Sequence, residues 1–155
     1  MRRIALLVVA VGLVGLVAAS VQAQQSTWTF TTELSTDKIQ PGNTLGIKAV
    51  LDAANTLPPL ASRECYFLMG LDYNPRRFAF PFVVPPMILG KAQFQAVRTP
   101  VGVKIAAGMR LPIPQMRLPA NYRLPLWFQG VALVQTRTSG VQPLPARPAM
   151  VMLVP

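Results

Sequence analysis

Proline is the residue that most restricts how this chain can fold. All sixteen prolines lie in the stretch from Pro41 to Pro155, and they recur throughout it. Inside a helix, proline removes a backbone hydrogen bond and clashes with the preceding turn; on a strand edge, it blocks pairing with another chain. The distribution therefore predicts short extended segments joined by turns, such as the turn at Pro41-Gly42, and no helix in this part of the chain.

Alternation of apolar and polar residues predicts about eight strands. Residues 27–35 and 44–52 alternate with the two-residue period of half-buried strands, and residues 64–72 are apolar on both faces, as in a central strand. The remaining strand segments are residues 78–84, 92–98, 101–109, 124–137 and 149–154, while residues 53–63 read as a loop. Pro81 marks residues 78–84 as an edge strand or an extended segment. We therefore predict an all-β fold class, a single antiparallel β-sandwich.

The amino terminus predicts export. Two arginines precede an apolar run over residues 4–19, and Val21-Gln22-Ala23 has the small residues of a cleavage motif. We therefore predict a signal peptide at residues 1–23, a β-sandwich domain at residues 24–155, and a secreted, periplasmic or cell-envelope location. The run is shorter than the roughly 20 residues of a spanning helix, so an uncleaved anchor is the alternative to cleavage and no other membrane span is predicted.

Charge is distributed unevenly along the chain. All five acidic residues precede Tyr73, whereas the stretch from Tyr73 to Pro155 contains ten arginines and lysines and no acid. Such an excess favours anionic partners. For an exported protein these are acidic polysaccharide, lipopolysaccharide, extracellular DNA or the envelope surface, rather than intracellular nucleic acid.

Three copies of Arg-Leu-Pro lie between Met109 and Gly130. Each leucine precedes a proline and is therefore pushed toward extended backbone. One interpretation is a rail of cations for a polyanion; the other is a set of strand ends and turns, with the leucines packed inward and the arginines in water. The candidate polyanion-binding residues of the basic half are Arg76, Arg77, Arg98, Arg110, Arg117 and Arg123. Trp127 is a candidate aromatic platform, with a place in the core as its alternative.

The chain lacks the residues that several kinds of catalysis and metal binding require. The chain has no histidine, which removes histidine-based nucleophilic machinery and most zinc sites. Glu64 and Asp72 would lie about 26 Å apart on an extended strand, too far for a catalytic pair. Cys65 is the only cysteine, so an internal disulfide cannot form, and its apolar surroundings predict a buried thiol. We therefore predict no enzyme activity, no cofactor and no metal site.

The carboxy-terminal stretch "PIPQMRLPANYRLPLWFQGVALVQTR" resembles that of small secreted β-sandwich modules abundant in planctomycetes and related bacteria. The matching residues are Ile113-Pro114, Leu126-Trp127-Phe128-Gln129-Gly130 and Val131-Ala132, and "QPGNTLGIKAV" is similar to the opening strand of these modules. The resemblance implies a β-sandwich fold and an exported location, and it implies no catalytic residue. The arginine excess departs from the pattern.

Two classes of function follow from these features. The first is an exported, non-enzymatic structural or surface-interaction module of a bacterial envelope, with other envelope proteins as partners. The alternative is a polyanion-binding module that uses the basic carboxy-terminal half. The two differ in whether the arginines share one face of the fold.

Overall fold

The computed structural model describes residues 28–71 and 87–155, which form ten strands and no helix. The strands are β1 (Trp28–Leu34), β2 (Lys38–Ile39), β3 (Thr44–Ala53), β4 (Leu60–Gly70), β5 (Met87–Gln93), β6 (Gln95–Val97), β7 (Val103–Pro112), β8 (Leu124–Thr136), β9 (Gly140–Pro145) and β10 (Ala149–Leu153). The predicted all-β class is confirmed. No helix in these two ranges is long and apolar enough to cross a membrane.

The strands form two sheets. Sheet A has four strands in the order β1-β3-β7-β6, and sheet B has six, in the order β2-β10-β8-β4-β5 with β9 also paired to β8. Every strand pairing is antiparallel except that of β2 with β10, which is parallel. The prediction of purely antiparallel pairing is therefore wrong at this edge of sheet B.

The strand β3 shows how alternation places the core. Leu45, Ile47, Ala49 and Leu51 are buried, whereas Lys48 between them is exposed. Successive side chains of a strand point to opposite faces, so one face of sheet A meets the core and the other is the outer face. The strand predicted as central, β4, lies between β8 and β5, as predicted.

One hydrophobic core draws residues from both sheets. Phe30 of β1 and Leu45 of β3 come from sheet A, and Phe67 of β4 and Phe128 of β8 come from sheet B. The two sheets approach one another closely at Gly130 of β8. A Cβ atom there would lie 2.6 Å from the Cβ of Ala49 and 3.2 Å from the Sγ of Cys65. A larger residue at this point therefore requires the neighbouring atoms or the backbone to shift.

The two sheets are also joined along both sides by backbone. On one side, β5 of sheet B continues through Phe94 into β6 of sheet A, and the Phe94 N–H donates to the carbonyl of Arg63 (2.7 Å). On the other side, Arg147 donates its N–H to the carbonyl of Phe30 (2.8 Å) and accepts from the N–H of Thr32 (2.9 Å). The edges of the sheets are therefore tied to one another.

The structure has ten described strands instead of the predicted eight. β2 and β9 were not predicted, and the predicted strand over residues 92–98 is divided between β5 and β6. With two residues, β2 is too short to show a period, and β9 contains Pro143 and Pro145, which are typical of turns and edges. Residues 60–63, predicted as loop, begin β4. Residues 78–84 and the predicted signal peptide lie outside the described residues.

Candidate functional site

A groove of about 800 Å³ crosses the outer face of sheet A. Its floor is formed by small residues, Gly46 of β3 and Ala106 and Gly108 of β7, and its sides carry Lys48 and Arg110. Small floor residues let a ligand approach the sheet backbone. The groove is therefore a surface on which charged side chains surround accessible main chain.

The register of sheet A brings the two cations to neighbouring strands. Lys48 of β3 lies opposite Gly108 of β7, and Gly46 of β3 lies opposite Arg110 of β7. The two charged side chains are therefore diagonal neighbours on one face, with Cβ atoms about 7–8 Å apart. Toward β7, Lys48 faces Gly108, while toward β1 it faces Glu33; Arg110 faces Gly46 of β3.

Neither cation of the groove forms a described salt bridge, although Glu33 of β1 lies directly opposite Lys48. The salt bridges within residues 28–71 and 87–155 join Lys91 to Glu64 (2.6 Å) and Lys104 to Asp52 (3.0 Å), and neither involves Lys48 or Arg110. Both groove cations are exposed. Arg110 can therefore bind an anionic group of a ligand directly, and the flexible Lys48 side chain can do so by turning from Glu33 toward β7.

Polar groups complete the groove at its two ends. Glu33 and Ser35 of the β1 side form one end, and the Ser35 hydroxyl accepts the N–H of Gly46 (2.9 Å). Gln93 and Gln95, on either side of Phe94, form the other end. Among the described lining residues the carboxylate is that of Glu33, which faces Lys48 from β1, so the β7 side is the more favourable place for an anion.

A second, smaller hollow of about 280 Å³ lies near the β2–β10 edge of sheet B. Lys38 and Arg123 line it together with Ala120, Met152, Val154 and Pro155. This hollow shares no lining residue with the groove on sheet A. The two hollows are therefore separate features of the surface.

The arginines singled out from the sequence do not share one hollow. Arg110 lines the groove and Arg123 lines the smaller hollow, whereas Arg98 and Arg117 are exposed and line neither. Arg76 and Arg77 lie outside the described residues. Trp127 is half-buried in β8, on the face opposite the core residue Phe128, and its role as an aromatic platform stays a prediction.

The three Arg-Leu-Pro copies occupy one strand end, one loop and one strand start. Leu111, Leu118 and Leu124 all pack against the core, and the arginine before each leucine is exposed. The first copy ends β7 and the third begins β8. This arrangement favours the interpretation of the motif as the corners of the fold.

Sequence reasoning missed Lys48 as a site residue. It occupies a polar position of the alternating segment 44–52, which indicated that it lies on an outer face. It lies in the half of the chain that also contains all the acids, so the search for a basic surface passed over it. Only the pairing of β3 with β7 places it near Arg110.

The described residues hold no cluster of three or more His, Cys, Asp or Glu side chains able to bind a metal ion. Cys65 is fully buried, as predicted. Burial raises the pKa of its thiol to about 12, because a thiolate would lose its hydration inside the core. The thiol is therefore protonated and shielded at neutral pH.

No protein-family model and no curated protein matches the sequence. Two solved structures of superoxide reductase (neelaredoxin) from Ignicoccus hospitalis are similar to the chain. One is 10% identical, with a TM-score of 0.38 and 84% of each chain covered. The other is 11% identical, with a TM-score of 0.36, and the match covers 81% of this chain and 82% of that chain.

This comparison corrects one prediction. From the sequence we predicted no enzyme activity and a non-enzymatic structural or surface-interaction module, whereas the similar structures are those of enzymes. That prediction is contradicted and is withdrawn. At this TM-score and identity, the likeness assigns no activity, substrate or cofactor to this chain.

Proposed function

We propose that the groove on sheet A binds a ligand with spaced carboxylate groups, held by Lys48 and Arg110. The observation that carries this proposal is the pair of exposed cations that line one groove without a described salt bridge. The proposed site combines β3 with β7, and it therefore differs from a surface formed by the basic carboxy-terminal half alone.

The chemistry of the two cations suits carboxylates. The guanidinium of Arg110 can donate two parallel hydrogen bonds to one carboxylate, and the ammonium of Lys48 is a compact charge on a flexible stem. Glu33 at the β1 end repels an anion there, which directs the ligand's carboxylates toward β7. Each exposed ion pair contributes about 0.2–1 kcal/mol, so the loss of both cations should weaken binding about 2- to 30-fold.

The test uses two probes that carry regularly spaced carboxylates, alginate and poly-L-glutamate. Binding is measured across a salt series for the protein, for a Lys48→Gln/Arg110→Gln variant and for an Arg117→Gln/Arg123→Gln variant. The control pair changes the net charge equally and lies outside the groove. We expect the predicted loss only in the first variant and weaker binding at high salt. Equal losses in both variants, or no binding of either probe, would contradict the proposal.

We also infer that the two sheets pack face to face as a β-sandwich, and that residues 1–23 are a cleaved signal peptide that directs export. The core shared by the two sheets supports the first inference, and the order of basic, apolar and small residues at the amino terminus supports the second. Sequencing the amino terminus of protein recovered from outside the cytoplasm tests the second: Gln24 as the first residue is the expected result.

A further inference from the structure

We propose that the ligand of the groove is an extended acidic peptide, which adds as a strand along the open edge of β7. This inference rests on the proposed function and names the class of its ligand. In this binding mode, main-chain hydrogen bonds hold the peptide and alternate side chains give specificity.

The open edge exists because β6 is much shorter than β7 and pairs with only part of it. β3 pairs with β7 along its whole length, from Val103 to Pro112. The described pairing of β6 with β7 covers three residue pairs, and the first residue of β6, Gln95, lies opposite Ala106. The residue before it, Phe94, donates its N–H to the carbonyl of Arg63 in sheet B (2.7 Å) and not to β7. Residues 107–112 therefore have a described partner strand on one side only, and the groove occupies the place of the missing strand.

The hydrogen-bond register shows which main-chain groups face the groove. The N–H of Ile113 donates to the carbonyl of Asn43 (2.9 Å), so odd-numbered residues such as Met109 direct their backbone groups toward β3. Bonding direction alternates from residue to residue in an antiparallel pair. The N–H and C=O groups of Gly108 and Arg110 therefore point to the open side.

The side chains of the outer face favour acidic residues at alternate positions of the peptide. One peptide residue would lie opposite Arg110 and another, two positions along, opposite Gly108. Because Gly108 has no side chain, the long stem of Lys48 can extend across it from β3. Two carboxylates separated by one residue would each meet one cation.

The opposite face of the added strand requires small or apolar residues. On that side of β7 lie Ala107, which is buried, and Met109, which packs against the core. Gly90 of β5 faces the same side, since a Cβ there would lie 3.8 Å from Cε of Met109. The sequence that fits is therefore one in which acidic and apolar residues alternate.

The open edge favours a peptide over an anionic polysaccharide. Both ligands could satisfy Lys48 and Arg110, but only a peptide presents N–H and C=O groups with the spacing of a strand. A polysaccharide would leave the edge groups of Gly108 and Arg110 to water. Binding of a peptide would therefore depend on hydrogen bonds to the main chain of β7, whereas binding of a polysaccharide would not.

The test compares three peptides of sequence Thr-Glu-Val-Glu-Val-Thr for binding to the full chain. The first is unmodified, the second is N-methylated at both glutamates, and the third is N-methylated at both valines. In the proposed register, the glutamate amides bond to β7 and the valine amides face away. We expect N-methylation at the glutamates to weaken binding by roughly tenfold or more, and N-methylation at the valines to change it by less than about threefold.

Amide hydrogen exchange supplies a second readout. In the free protein, the amides of Gly108 and Arg110 should exchange faster than that of Met109, which is bonded to β3. The unmodified peptide should slow exchange at Gly108 and Arg110 and leave Met109 unchanged. Peptide binding without this protection would overturn strand addition.

The outcomes separate the two proposals. If the Lys48→Gln/Arg110→Gln variant loses alginate binding while both methylated peptides bind as well as the parent, the groove is a carboxylate site and the peptide inference fails. If neither peptide nor alginate binding depends on these two cations, the proposed function fails as well.

Discussion

Replacement of Gly130 by alanine tests the close approach of β8 in sheet B to β3 in sheet A. The added methyl carbon would lie 2.6 Å from the Cβ of Ala49, whereas carbon atoms in contact prefer about 3.5–4.0 Å. The backbone of β8 must therefore move by about 1 Å. Two buried hydrogen bonds lie at the same residue: its N–H donates to the Thr32 hydroxyl (3.0 Å), and its carbonyl accepts from the N–H of Ala146 (2.8 Å).

Overpacking of this kind costs about 1–3 kcal/mol, while the loss of glycine's freedom in the unfolded chain returns about 0.4–1 kcal/mol. With strain in the two hydrogen bonds, we expect Gly130→Ala to lower the free energy of unfolding by about 2 kcal/mol. Urea unfolding followed by tryptophan fluorescence should then show a midpoint lower by about 1 M.

Two further variants make the interpretation specific. In an Ala49→Gly background the facing methyl is absent, so Gly130→Ala should destabilise the protein by less than it does alone. Gly90→Ala is the control, because its methyl would meet only Cε of Met109 at the ordinary distance of 3.8 Å. The reasoning is refuted if Gly130→Ala is as stable as the parent, or if its cost is the same in both backgrounds.

Three other predictions concern single groups. Thr32→Val should cost about 1–3 kcal/mol in thermal or urea unfolding, since it leaves the buried Gly130 N–H without an acceptor; full stability would show that water replaces the hydroxyl. Burial raises the pKa of Cys65 to about 12. The stability that this thiol contributes is therefore complete below the unfolded thiol's pKa of about 8.5 and falls as pH rises toward 12. In urea unfolding across this pH range, Cys65→Ala should lose less stability than the parent protein. Lys91 holds the pKa of Glu64 below its usual value through a 2.6 Å contact; in Lys91→Met, carboxyl titration by NMR should show that pKa rising, and an unchanged value would mean that the pair is not formed in solution.

The strands that could be predicted are those with a clear period or a long apolar run. β3 alternates, and β8 is long and apolar, so both were found from their residues alone. β9 was missed because Pro143 and Pro145 have the composition of a turn. Its pairing with β8 depends on a long-range contact that local pattern does not contain.

The groove could not be predicted from the sequence because it depends on how β3 and β7 pair. Lys48 and Arg110 are far apart in sequence, and a shift of β3 against β7 by one residue would put them on opposite faces. The early departure of β6 depends on Phe94, which looks like an ordinary apolar residue of a strand. The excess of arginine singled out Arg110 among six candidates, but it did not point to Lys48.

The order in which strands enter the two sheets affects how the chain can fold during synthesis. Sheet A takes β1, β3, β6 and β7, and sheet B takes β2, β4, β5 and β8 to β10, so the chain passes repeatedly from one sheet to the other. Among the described strands, β2 pairs with β10 alone, and most of the described chain lies between these two strands. A nascent chain that has not yet reached Leu153 leaves β2 without its partner and exposes one edge of β8. Sheet B is therefore completed only after β10 has been synthesised, and until then its unpaired strand edges expose the chain to aggregation.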